Sequence, residues 1–187
     1  MTRLAPVAIR VGVGVDMHRL VSGRPLILGG IAIPFNRGLE GDSDADVVTH
    51  AILDALLGSV GEGDIGKQFG VGRREMMGIS SLVLLERVVT LIAAKGYRPS
   101  NVDATVIAET PRLRPHISAI RGRLAAVLGI AKNRVSVKGT TAKGLGWLGS
   151  GEGIATIAVA SVVPVRAAVT ARRMDVPARR TRRARER

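Results

Sequence analysis

The apolar positions divide the chain into short, distinct segments. Residues 8–16, AIRVGVGVD, place valines among glycines and predict a strand. RPLILGGIAIPF, residues 24–35, predicts a hairpin, with Gly29-Gly30 as the turn between two β-rich runs. NRGLEGDSD, residues 36–44, reads as a loop. A helix follows from about Ala45 to Gly58, with Ser43 or Asp44 as its cap and Asp46 in its first turn. The glycine-rich stretch GEGDIGKQFGVG ends it. SSLVLLERVVTLIAAKG, residues 80–96, has helical spacing, a serine start and a glycine stop. NVDATVIAE, residues 101–109, alternates as a strand. Residues 114–129 predict a helix with Pro115 near its start and Gly129 at its end; His116 reads as a structural or capping residue. Strands at 133–141 and 154–165 flank a further glycine-rich loop, 142–153. The alternation of strands and helices, with strand pairs joined by short turns, predicts an α+β fold, a mixed sheet with helices packed on one face.

Composition narrows the class. The 187 residues fit one domain, expected over 1–165, followed by a tail at 166–187, with no internal repeat. Apolar residues make up 46% and aromatics 2%, so the core is aliphatic. With no cysteine, any metal must be held by His, Asp, Glu or backbone oxygen. No apolar run reaches the ~18–20 residues of a membrane helix, and MTRLAPVA reads as neither a secretory nor a transit signal; a cytoplasmic location is expected. The net charge of +13 is unevenly placed. The tail has nine arginines against Asp175 and Glu186, or +7, leaving +6 on the body. Its composition predicts disorder, and its charge suits weak nonspecific contact with nucleic acid or anionic surfaces. The body offers few aromatics on which bases could stack.

Asp16 and His18 are two residues apart. If the strand continues through them, both side chains share one face. His50 is expected mid-helix, with Asp46 and Asp54 four residues to either side on the same stripe. One carboxylate and two imidazoles form a three-ligand set with a position open to substrate. Zinc suits these donors, and Mn²⁺ or Fe²⁺ also fits them. The plainer alternative makes Asp16 a strand-end turn residue and His50 a hydrogen-bonded core histidine. The glycine-rich loops at 38–46, 61–72 and 139–153, with the Thr140 and Thr141 hydroxyls, add potential phosphate donors. They are also consistent with simple tight turns.

GVGVDMHRL, PLILGGIAIPFNRGLEGDSDADVVTHAILDALLG, GDIGKQF, AKGYRPSNVDATVIAETPRLRPHI and VSVKGTTAKGLGWLGSGEGIA, in that order, resemble the 2-C-methyl-D-erythritol 2,4-cyclodiphosphate synthase family. The resemblance runs from about Arg10 to Val163 and excludes the tail. It implies an α+β homotrimer with active sites at subunit interfaces. It implies a phosphorus-oxygen lyase of the non-mevalonate isoprenoid pathway. That enzyme converts 4-diphosphocytidyl-2-C-methyl-D-erythritol 2-phosphate to the 2,4-cyclodiphosphate and releases CMP. On this resemblance Asp16, His18 and His50 are the zinc ligands, and Ser43, Thr140 and Thr141 are phosphate contacts. Asp64, Ile65 and Gly66 match the erythritol-binding segment. The segment Ala108 to Arg114, with Ala108, Arg112, Leu113 and Arg114, matches the cytidine-binding loop. Trp147 matches an apolar residue lining the trimer channel, the alternative being simple burial, and Ser150 lies nearby in the G-S-G-E-G segment.

Several positions depart from the family pattern, all near phosphate or metal handling. Asp42 stands where a histidine is common, and Lys143 where an acid associated with a second metal, Mg²⁺ or Mn²⁺, is common. Phe69-Gly70-Val71 lacks the acid of an F-P-D loop, and Ser150 replaces an arginine. Two readings follow. In one, Lys143 supplies fixed positive charge to the diphosphate in place of the second metal. In the other, the protein is a catalytically weak or inactive phosphometabolite-binding homologue.

Overall fold

The computed structural model describes residues 8–165 except Val71 and Arg73. The tail expected at 166–187, and Val71 of the departing loop, therefore lie outside the described residues. The strands are β1 (Arg10–Ser22), β2 (Leu26–Leu28), β3 (Ile31–Ile33), β4 (Arg37–Leu39), β5 (Tyr97–Ile107), β6 (Val135–Thr140) and β7 (Gly153–Pro164). The helices are α1 (Val47–Ser59), α2 (Ile65–Phe69), α3 (Ser81–Ala94), α4 (Ile117–Leu128) and α5 (Gly146–Gly149). A five-stranded sheet has the order β4-β1-β7-β5-β6, and β2-β3 form a separate hairpin. Only the β5–β6 pair within the larger sheet is parallel; its other pairs are antiparallel. The sheet is mixed, as the sequence predicts.

The first strand is longer than its alternation predicts. It continues past Asp16 and His18 to Ser22, pairing Asp16 with Thr156 and His18 with Ile154 on β7. Its two faces reverse the usual assignment. Val11, Val13, Val15 and Met17 are exposed, Val13 by 62%. Gly12 and Gly14 face α1 instead. A Cβ on Gly12 would lie 2.1 Å from the Ala55 carbonyl oxygen, and one on Gly14 2.0 Å from that of Ala51. The missing side chains let the helix lie backbone to backbone on the strand. Ala51, Ile52, Leu53, Ala55, Leu56 and Leu57 are then wholly buried, and Leu84, Leu85, Val88 and Ile92 of α3 close the same core.

Asp46 fixes the start of α1. It is the N-cap, in place of the expected Ser43 or Asp44, and its side chain accepts from the Val48 and Thr49 amides. The same buried carboxylate accepts from the Gly29 amide at 2.8 Å, the Gly30 amide at 2.7 Å and the Thr49 hydroxyl at 2.7 Å. Gly29 and Gly30 have φ of 58° and 71°, the left-handed pair that a two-residue hairpin turn requires. One side chain thus ties the β2–β3 hairpin to the helix.

Other boundaries also differ from expectation. The stretch 36–44 contains β4, which pairs Leu20 with Leu39 and Val21 with Gly38. Within the second glycine-rich loop lies α2, capped by Asp64, and within the third lies α5. β5 begins at Tyr97, and α4 begins at Ile117 rather than 114. His116 precedes α4 but its side chain makes no capping bond.

Gly14→Ala is expected to destabilise the fold by about 1–3 kcal/mol or more, because the added methyl meets helix backbone rather than a movable side chain. Denaturant unfolding measures this; an unchanged midpoint would contradict the close strand–helix contact.

Candidate metal centre and adjoining pockets

Strand β1 sends Asp16 and His18 towards α1, two residues beyond the glycine pair. His50 is the fourth residue of α1, so it sits in the first turn rather than mid-helix. Its Nδ1 and the Nε2 of His18 each lie 3.0 Å from Oδ2 of Asp16. The candidate ligand atoms of all three residues lie within 4.8 Å of one another.

His18 Nε2 is buried and has no hydrogen-bond partner among the described residues. Close as it is to Asp16 Oδ2, it is not aligned to donate to that oxygen. A polar atom left this way is costly unless something else satisfies it. A cation meeting both lone pairs does so. The residues present therefore fit a divalent metal, in general terms and without specifying which one.

Charge reinforces the arrangement. Burial pushes the Asp16 carboxyl up, but the two imidazoles more than offset this and hold it well below the carboxylate range. Burial pulls His18 down, and the neighbouring Asp16 charge outweighs it, so the imidazole titrates above its ordinary value. Asp54, on the same stripe of α1, is pushed up by its burial while it accepts from the Ile65 amide at 2.9 Å.

The three ligand candidates line a cavity of about 250 Å³ with Asp42, Ser43, Asp54, Ile65 and Gly66. The buried Ser43 accepts from the Ala45 amide and lies 3.3 Å from His50 Nε2. Ala45 itself has φ of 52°, a strained value for a residue with a side chain, at the turn into α1. Asp42 accepts from the Gly72 amide at 3.2 Å. Asp64 is exposed and caps α2, accepting from the Lys67 amide.

The second group of sequence candidates lies apart. Ala108, Arg112, Leu113, Arg114, Thr140 and Thr141 line a different pocket of about 380 Å³. Its walls are the ends of the parallel strands β5 and β6 and the start of α4. Lys143 lines neither pocket; it has φ of 57°, and its amide donates to the Thr141 hydroxyl. Trp147 is 42% exposed, which removes simple burial as its explanation within one chain. It borders a third hollow with Met17, His18 and Glu152, and Ser150 donates to Glu152 at 2.7 Å. Ser81, which adjoins His50, and Asp44, which accepts from Ser81, appear in the sequence only as helix-start residues.

The pattern of the YgbB family matches residues 9–163. The chain is 55% identical over 152 residues to a 2-C-methyl-D-erythritol 2,4-cyclodiphosphate synthase from Symbiobacterium thermophilum, covering 81% of this chain and 97% of that protein. Among solved structures, the bifunctional IspDF from Campylobacter jejuni superposes with a TM-score of 0.82 at 32% identity. That match covers 85% of this chain and 43% of the bifunctional one. IspF from Plasmodium falciparum in complex with CDP gives a TM-score of 0.74 at 32% identity, covering 86% and 99% of the two chains.

Elemental analysis is expected to find about one divalent metal per chain, lost on His18→Ala. Binding should weaken as pH falls through the raised value of His18, because the metal must displace a proton there. Equal metal content in both proteins would remove His18 from the ligand set.

Proposed function

This chain belongs to the YgbB family, and from that membership we propose that it is the cyclase that closes 4-diphosphocytidyl-2-C-methyl-D-erythritol 2-phosphate to the 2,4-cyclodiphosphate. The observation that carries the reading is the convergence of Asp16, His18 and His50 on one point in a cavity, with the His18 nitrogen otherwise unpartnered. The 2-phosphate oxygen of the substrate attacks the β phosphorus of its own diphosphate. The bond from that phosphorus to the bridging oxygen breaks, and CMP leaves with the oxygen. The nucleophile belongs to the substrate, so the protein needs no nucleophilic side chain.

A divalent metal, zinc in this proposal, supplies Lewis acidity and a template for phosphate oxygen at the triad. The remaining work is positioning. Ser43 and the Thr140 and Thr141 hydroxyls donate to phosphate oxygens. Asp64, Ile65 and Gly66 hold the erythritol hydroxyls. Ala108, Arg112, Leu113 and Arg114 hold the cytidine. Bringing the two ends of one substrate together is worth roughly 7–11 kcal/mol in favourable cases.

The metal cavity and the pocket at 108–141 are separate within one chain. A homotrimer whose active sites span subunit interfaces joins one chain's metal cavity to its neighbour's cytidine pocket. The support for assembly is the outward sheet face. Val11, Val13, Val15, Met17, Ile157 and Val159 are all exposed there, an apolar stripe that a monomer would leave in water. Trp147 and Ser150 then border the channel of the trimer. We place the tail at 166–187 outside this assembly and outside the catalytic domain 1–165. No helix among the described residues is long and apolar enough to cross a membrane, in keeping with the cytoplasmic location proposed here.

Asp42 favours a second reading, a weak or inactive phosphometabolite-binding homologue. Its carboxylate lines the metal cavity, where it opposes an incoming phosphate. Incubation with substrate and metal, followed by detection of CMP and the cyclic diphosphate, separates the two. Binding without CMP release would sink the cyclase.

If Lys143 supplies the charge of a second metal, wild type will need little Mg²⁺ or Mn²⁺ beyond the zinc, and Lys143→Glu will need it strongly. Equal, steep requirements in an Mg²⁺ titration of CMP release would rule that substitution of roles out. Sedimentation of a chain cut after residue 165 should still show a trimer, and Val13→Asp should dissociate it. A monomeric truncation would assign the assembly to the tail.

A further inference from the structure

We propose that Ser81 and Asp44 are positioning residues for the metal centre, holding His50 in the tautomer that presents Nδ1 to the metal. The proposal rests on the reading of the triad as a metal site and concerns residues behind it. The Nε2 of His50 lies 2.8 Å from the Ser81 hydroxyl oxygen. That hydroxyl donates to Oδ1 of Asp44 in a short contact, and the Ser81 amide donates to Oδ2 of the same carboxylate at 2.9 Å.

The direction of the hydrogen bonds follows from the inventory of donors. A carboxylate only accepts, so the single hydroxyl proton of Ser81 is committed to Asp44. What Ser81 has left for His50 is a lone pair. The imidazole must therefore be the donor, with its proton on Nε2. A neutral imidazole carrying that proton turns its Nδ1 lone pair towards Asp16 Oδ2, 3.0 Å away, two acceptors that only a cation between them reconciles. The tautomer needed for metal ligation is thus set from the far side of the ring.

Packing makes the arrangement specific. Ser81 is wholly buried at the first position of α3, and Asp44 is partly buried in the turn ahead of α1. The Asp44 amide is itself held by the Ile79 carbonyl at 3.1 Å. Ser43, at 3.3 Å from the same His50 nitrogen, is the weaker acceptor, leaving its own hydroxyl proton for the cavity. The chain carboxylate, hydroxyl, imidazole and metal is the kind of outer-shell support whose loss weakens metal binding by roughly 10–100-fold.

The test uses full-length protein, with zinc affinity measured by chelator competition and the His50 tautomer by ¹⁵N imidazole shifts of the zinc-loaded form. Wild type should carry its proton on Nε2. Ser81→Ala should weaken zinc by roughly 10–100-fold, and Ser81→Thr, which keeps a hydroxyl, should recover much of the affinity. Asp44→Asn should also weaken zinc, because the amide can donate to Ser81 and turn its hydroxyl proton towards His50. Unfolding midpoints of the metal-free variants separate this effect from a loss of fold. Wild-type zinc affinity in both Ser81→Ala and Asp44→Asn overturns the proposal, as does a proton found on Nδ1 of zinc-loaded wild type. If wild type binds no zinc through His18 and His50, the metal reading itself fails and takes the proposal with it.

Discussion

The close contact of β1 and α1 is the constraint on which the rest depends. Gly12 and Gly14 have no side chains to hold the helix away, and the backbone of Ala51 and Ala55 lies directly against them. The helix backbone comes near enough for His50, in its first turn, to meet Asp16 at the same height along the strand. Any residue larger than glycine would lift the helix and separate these ligand candidates by the same movement. Stability and site geometry are therefore set by one packing decision.

A second constraint fixes rotation and reach. Asp46 caps the helix and also binds both amides of the hairpin turn, so the segment ahead of α1 cannot drift. That segment carries Asp42, Ser43 and Asp44, which face the cavity, the imidazole and the α3 serine respectively. Burying one carboxylate costs desolvation, and five hydrogen bonds from neutral donors offset it. The strained backbone of Ala45 lies between these fixed points.

Much of this was legible in the sequence, and the remainder was hidden for definite reasons. Periodicity located α1, α3 and the long strands because each carries a sustained apolar pattern. It missed β4 and α2, whose three and five residues are too short to show a period. The ligand set was legible as Asp-x-His plus a helical histidine, but the inner face of β1 was not. Valine-rich alternation suggests that the valines are buried, whereas glycine and helix backbone take that place. The roles of Asp46 and Ser81 were obscured because capping residues look alike in sequence. Which of Ser43, Asp44 and Asp46 bonds the helix depends on a turn whose course is fixed by the distant Gly29-Gly30 pair. The separation of the two pockets has no local signature at all.

The alternation along β1 also acts as a check on its own alignment. With a period of two, the even positions from Gly12 to His18 belong to the helix side and the odd positions from Val11 to Met17 to the outside. Slipping this strand against β7 by a single residue would exchange the two sets. Valines would be driven into helix backbone while a carboxylate and an imidazole turned outward among apolar side chains. Neither half of that error can occur without the other. A misaligned chain would therefore carry two large penalties at once, and the strand would be a poor place for a near-native trap to form.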